Sequence, residues 1–146
     1  MAMPHATRAM LAIALAAASV PLDAGGNAPK PDRYAACLDA SGGVTVEMLD
    51  CAAVELAWLD SRLNGHYGEA MGVLPAEQRL ALRDLQRAWM RYRDLDCSFL
   101  NGQALAGTSG LLLRSSCLVE KTRERAAAMK EIAERARMFY ADGIPD

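Results

Sequence analysis

Residues 45–71, TVEMLDCAAVELAWLDSRLNGHYGEAM, decide the fold. Val46, Leu49, Ala53, Leu56, Leu59, Leu63, Tyr67 and Met71 recur at steps of three or four, the signature of one apolar stripe on an amphipathic helix. Thr45 is a residue type that caps helix N-termini and is expected to open this one. Gly65, Gly68 and Gly72 each cost roughly 1 kcal/mol relative to alanine in a helix, so the last turns are expected to fray.

Two further segments carry the same period. The next opens at Pro75, a favourable first-turn residue, with Glu77 placed to complement the helix dipole. Leu82, Leu85, Trp89, Tyr92 and Phe99 form its stripe, Leu95 flanks it, and Asn101-Gly102 is a natural stop. After a glycine-bearing loop over residues 102–110, Thr108 or Ser109 can cap a third helix. Its stripe runs through Leu112, Val119, Thr122, Ala126, Met129, Ala133 and Ala136 to Phe139 or Tyr140. No strand-like alternation competes. Three helices with short connections pack as an all-α, up-down-up bundle occupying residues 45–146.

Upstream, residues 29–44 carry Pro29, Pro31, Gly42 and Gly43 and read as a mostly irregular arm. Residues 1–28 have a cationic start at Arg8, an apolar run over residues 10–20 and a turn-forming end, the order of a cleaved secretory signal. Eleven apolar residues fall short of the roughly 20 needed to span a bilayer, so no membrane insertion is expected once the leader is removed. The expected location is the periplasm or the outside of the cell.

An even cysteine count in an exported chain reads as a disulfide framework. Cys37, Cys51, Cys97 and Cys117 allow three pairings. In the bundle, Cys97 near the end of one helix comes level with Cys117 early in the next, and Cys37 lies in the arm just before Cys51. That geometry favours Cys37–Cys51 and Cys97–Cys117, each closing a loop of about 15–20 residues and contributing about 3 kcal/mol in the chain-entropy model. A zinc site would need a Cys-x-x-Cys pair or clustered histidines; His66 is the one histidine beyond the leader, so no metal or cofactor is expected.

Net charge is −2, with no basic cluster interleaved with aromatics, so nucleic acid is not an expected partner. No serine, histidine and acid fall in a recognisable catalytic order, and disulfide-bonded cysteines offer no thiolate. The 102–110 loop lacks the Lys-Ser/Thr ending and preceding strand of a phosphate loop. No catalytic residue is assigned.

Taken in order, Cys51, Asp60-Ser61-Arg62-Leu63-Asn64, Tyr67, Leu82, Gln86, Trp89, Arg93-Asp94, Cys97, Gly107, Cys117, Thr122 and Arg123 resemble the LprI-like lysozyme-inhibitor domain. Its pattern is Asp-x-x-Leu-Asn-x-x-Tyr, then Gln-x-x-Trp-x-x-x-Arg-Asp-x-x-Cys, a glycine loop and Cys-x4-Thr-Arg. The resemblance covers residues 37–125 and rests on joint order rather than on one diagnostic element. It implies a small, helical, disulfide-stapled envelope protein with lysozyme as a protein partner. The alternative is a non-enzymatic interaction module for another envelope partner.

The motif residues carry two readings. Leu63, Tyr67, Leu85, Trp89 and Tyr92 fit core stripes. Asp60 is expected to meet Arg87 or Gln86, and Arg93 with Asp94 to approach Arg123 and Glu47, as register-setting pairs. In the other reading Asn64, Tyr67 or Arg93 line a binding groove.

Residues 45–74 hold five acids, Glu47, Asp50, Glu55, Asp60 and Glu69, against Arg62, a net −4. Such a face steers a cationic lysozyme, although acids near a helix start also serve its dipole. Lysozyme uses a raised-pKa glutamic acid and an ionised aspartate. A cleft-occluding inhibitor would meet them with cationic or hydroxyl donors, and Arg62, Thr108, Ser109 and Arg114 have that chemistry.

Overall fold

The computed structural model describes residues 32–99 and 107–141. The expected leader, the Asn101-Gly102 stop and most of the glycine loop lie outside the described residues. Those residues form four helices rather than three: α1 (Arg33–Ala40), α2 (Thr45–Val73), α3 (Ala76–Phe99) and α4 (Thr108–Tyr140).

The extra helix lies in the arm read as irregular. Asp32 caps it, its carboxylate accepting from the Tyr34 amide at 3.1 Å. Gly42 and Gly43, at φ of 58° and 83°, turn the chain into α2 after α1 ends. Eight residues are too few for a stable isolated helix, so α1 depends on what it packs against. It lies on the start of α2, with Tyr34 against the Ala52, Leu59 and Val119 cluster.

α4 is the central element. It packs along α2 on one side and against α3 on another, while α2 and α3 barely touch. Glu55–Arg123 and Glu69–Arg137 share an offset of 68 residues, so α2 and α4 run parallel. Between α3 and α4 the separation shrinks from 62 residues at Gln78–Tyr140 to 29 at Tyr92–Lys121, so that pair is antiparallel. The up-down-up order therefore holds, with α1 added and α4 in the middle.

The α2–α4 seam has the seven-residue repeat of nearly parallel helices. Val119, Thr122, Ala126, Met129, Ala133 and Ala136 are buried on α4, as are Ala52, Leu59, Leu63 and Ala70 on α2. The alanines let the backbones approach closely. The expected α2 stripe is one position out in its first half: Val46 and Ala53 face solvent, while Ala52 and Glu55 are buried. α2 also continues intact through its glycines to Val73, because its seam with α4 and Leu82 outweighs their low propensity. Neither Thr45 nor Thr108 caps its helix; Val44 and Gly107 stand in the cap positions, without side-chain cap bonds.

Disulfides join Cys37–Cys51 and Cys97–Cys117, with Cα separations of 5.8 and 5.6 Å. The expected α3 stripe is divided. Leu82 is buried and Trp89 packs on the core, but Leu85, Tyr92 and Phe99 are exposed, as is Leu95. A single neighbour, α4, covers only one edge of this wide apolar face.

Candidate functional site

Thr122 and Arg123 are adjacent on α4 and so point about 100° apart. They divide the motif residues between two polar clusters on different sides of that helix.

On the α3 side Arg93 is the hub. Its guanidinium donates to Thr122 Oγ1 at 3.5 Å, pairs with Asp94 at 2.9 Å and with Asp60 at 4.0 Å, and lies over the Trp89 ring at 5.1 Å. Arg125 covers the same indole at 5.6 Å and donates through Nε to Gln86 Oε1 at 2.9 Å. Burial pulls the Arg125 guanidinium below the usual arginine range, and its Nη2 is buried without a partner among the described residues. Asp60 thus meets Arg93 rather than Arg87 or Gln86, and Gln86 serves Arg125. The expected approach of Arg93 and Asp94 to Arg123 and Glu47 does not form, because α4 stands between the two clusters.

On the other side the hub is Glu55, which the sequence placed on an outer acidic face. It is 3 % exposed. Arg33 donates to its Oε2 at 2.6 Å, and Arg123 donates to its Oε1 at 3.1 Å while pairing with Asp32 at 3.1 Å. Burial raises the Tyr34 hydroxyl above its ordinary value, partly offset by Arg123. This network ties α1, α2 and α4 together. Its signal in the sequence was the step from Cys51 and Ala52 through Glu55 to Leu59, a buried face with one acid in it.

Beside it Asp32, Trp58, Arg62, Arg123 and Lys130 line a groove of about 370 Å³. Arg33 and Arg62 lie against the Trp58 ring at 4.2 and 4.9 Å. Arg62 is therefore stacked over an indole, while Thr108, Ser109 and Arg114 sit in the first two turns of α4. Sixteen residues separate Arg114 from Lys130, about 24 Å of helix, so the structure does not bring Arg62 together with the other three. Asn64 is exposed and Tyr67 is half-buried against the core.

The disulfides lie at one end of the molecule, where α1, the start of α2 and the start of α4 meet around Tyr34, Leu38, Met48, Leu112 and Ser115. There Cys37, Ala40, Cys51 and Val54 floor a shallow apolar recess of about 330 Å³ rimmed by Glu47 and Asp50. Val44, Val46 and Val54 are exposed around it. Glu47 and Asp50 have no ion-pair partner among the described residues, whereas Glu55, Asp60 and Glu69 are all paired. The acidic face of α2 is thus confined to its first turns.

The sequence profile of a family described as lysozyme inhibitor LprI matches residues 37–129. The chain belongs to the LprI lysozyme-inhibitor family. The match takes in both disulfides and both hubs, so the family's pattern coincides with the stapled, polar-clustered part of the fold. An uncharacterized protein of Rhizobium meliloti is 31 % identical over 121 residues, covering 74 % of this chain and 83 % of that one. No solved structure matches this LprI-family chain. Among the described residues no helix is long and apolar enough to cross a membrane, and no group of histidines, cysteines and acids could hold a metal.

Proposed function

We propose that this LprI-family chain is exported with a signal peptide over residues 1–28 and binds a cationic lysozyme, blocking its substrate cleft. Family membership carries the reading. The disulfide-stapled end supports it with chemistry: an apolar recess, exposed valines and the carboxylates of Glu47 and Asp50, unpaired among the described residues, suit a cationic protein surface. Two covalent ties make that end rigid, which limits the entropy lost on docking. Thr108, Ser109 and Arg114, at the start of α4 on the same end, are the donors proposed to reach lysozyme's catalytic carboxylates. Arg62 belongs to a separate groove and is proposed to contact the partner only if the interface extends along α4.

The test is a titration of a c-type lysozyme's muramidase activity with the oxidised protein at low and moderate salt. Inhibition that weakens with salt, and that Glu47→Lys with Asp50→Lys reduces at least tenfold, is the expected result. Full activity at micromolar protein, with helical content verified, sinks it. The reading of the chain as an interaction module for another envelope protein draws on a different observation, the exposed apolar face of α3.

A further inference from the structure

Leu85 is 50 % exposed, Tyr92 55 %, Leu95 73 % and Phe99 84 %. With the exposed alanines Ala81 and Ala88 they fall at steps of four, three, four, three and four. That is a strict seven-residue seam, the pattern that makes one helix lie along another. It runs 18 residues, about 27 Å, along the flank of α3 beside the Leu82 and Trp89 edge that α4 covers, and α4 reaches it at Tyr92, where Lys121 donates to the hydroxyl. Isolated apolar residues on a surface need no explanation, but a continuous stripe marks a contact.

The charges beside the stripe identify what it contacts. The positions immediately before Leu85 and Tyr92 hold Asp84 and Arg91, an acid toward the start of α3 and a base toward its end. A parallel copy would set this flank against the Leu82, Trp89 and Asp96 side of its partner, which α4 already covers and where Lys121 holds Asp96. An antiparallel copy centred between Gln86 and Arg87 brings Asp84 within two residues, about 3 Å along the axis, of Arg91 of the other copy, close enough for the two side chains to pair, twice by symmetry. The same register layers large residues on small ones, Leu85 over Ala88 and Tyr92 over Ala81. We propose that α3 is the interface of a two-fold dimer in which two copies of this chain pair antiparallel along this stripe. The recess rimmed by Glu47 and Asp50 lies on other helices, although Leu95 and Phe99 flank Cys97 at the stapled end, so the charge exchanges at Asp84 and Arg91 are what separate this proposal from the lysozyme reading.

The experiment is sedimentation velocity on the full chain with both disulfides formed, across a concentration series from 1 to about 100 µM, a range suited to an interface at the small end of specific contacts. A doubling of mass is expected within it. Leu95→Asp, exposed and therefore tolerated by the fold, is expected to leave a monomer of unchanged helicity. D84R and R91D are each expected to weaken dimerisation at least tenfold, and the double exchange D84R/R91D to restore it. A monomer at every concentration overturns the proposal and leaves the stripe to another envelope protein. A dimer indifferent to Leu95→Asp, or single charge reversals without effect, overturns it equally.

Discussion

Arg123 Nη2 lies 3.1 Å from Glu55 Oε1, joining two residues 68 positions apart, and the carboxylate it reaches is almost fully buried. Arg33 holds the other oxygen from a different helix. One acid therefore ties α1, α2 and α4, and the adjacent Cys37–Cys51 bond closes the same corner covalently. Removing the acid leaves two guanidinium groups without their buried counter-ion, which costs more than the pair contributes in isolation.

Glu55→Gln is expected to lower stability by about 2 kcal/mol, a figure reduced because both arginines are partly solvated. Arg33→Ala, on the half-exposed side, is expected to cost about half as much. Urea melts followed by circular dichroism measure both; unchanged midpoints would show that the network contributes no net stability.

The disulfides are expected to differ in what their loss releases. Replacing Cys97 and Cys117 by serine costs about 3 kcal/mol of global stability, for a separation of 20 residues. Replacing Cys37 and Cys51 costs a similar amount but also frees an eight-residue helix that cannot persist alone. Limited proteolysis of the second variant is expected to cut first within residues 33–44, before any cleavage in α2 or α4. Simultaneous cleavage everywhere would show that α1 is not a separate unit.

Gly65, Gly68 and Gly72 lie inside α2, and a Cβ added at any of them meets nothing within 4 Å. Gly65→Ala and Gly68→Ala are each expected to stabilise by about 0.5–1 kcal/mol, through helix propensity and a less flexible unfolded chain. Thermal melts of the single and double variants check this; a fall in Tm would mean that the added methyl groups disturb the folded chain itself.

Arg125 combines a lowered pKa with a buried nitrogen that lacks a partner. Arg125→Met keeps most of the packing over Trp89 and removes the desolvated charge, so stability is expected to stay level or rise by about 1 kcal/mol. Arg125→Ala, which also removes the stem, is expected to destabilise. A methionine variant clearly less stable than the unaltered protein would show that the guanidinium is a net stabiliser here.

Periodicity and spacing made much of this legible. The α4 seam from Val119 to Ala136 follows the repeat read from the sequence, and the cysteine pairings follow from placing Cys97 and Cys117 on adjoining helices and Cys37 in the arm just before Cys51. The motif order likewise carried the family. α1 is not legible in the same way, because an eight-residue helix has too few turns to show a period and Pro29, Pro31, Gly42 and Gly43 give its surroundings the composition of irregular chain.

The sequence by itself determined that the chain is all-helical, where its long helices run, and which cysteines could meet. These are local properties, set by propensity, period and the reach of a short loop. Only the tertiary structure decided which side of each apolar face receives a neighbour. Because α4 took the central place, α3 was left with Leu85, Tyr92, Leu95 and Phe99 in solvent. The same placement buried Glu55 between two arginines and sent the neighbours Thr122 and Arg123 to different clusters. A helical repeat states that a face is apolar, but burial depends on what fills the volume beside it, and here that was settled by residues as far as 68 positions away.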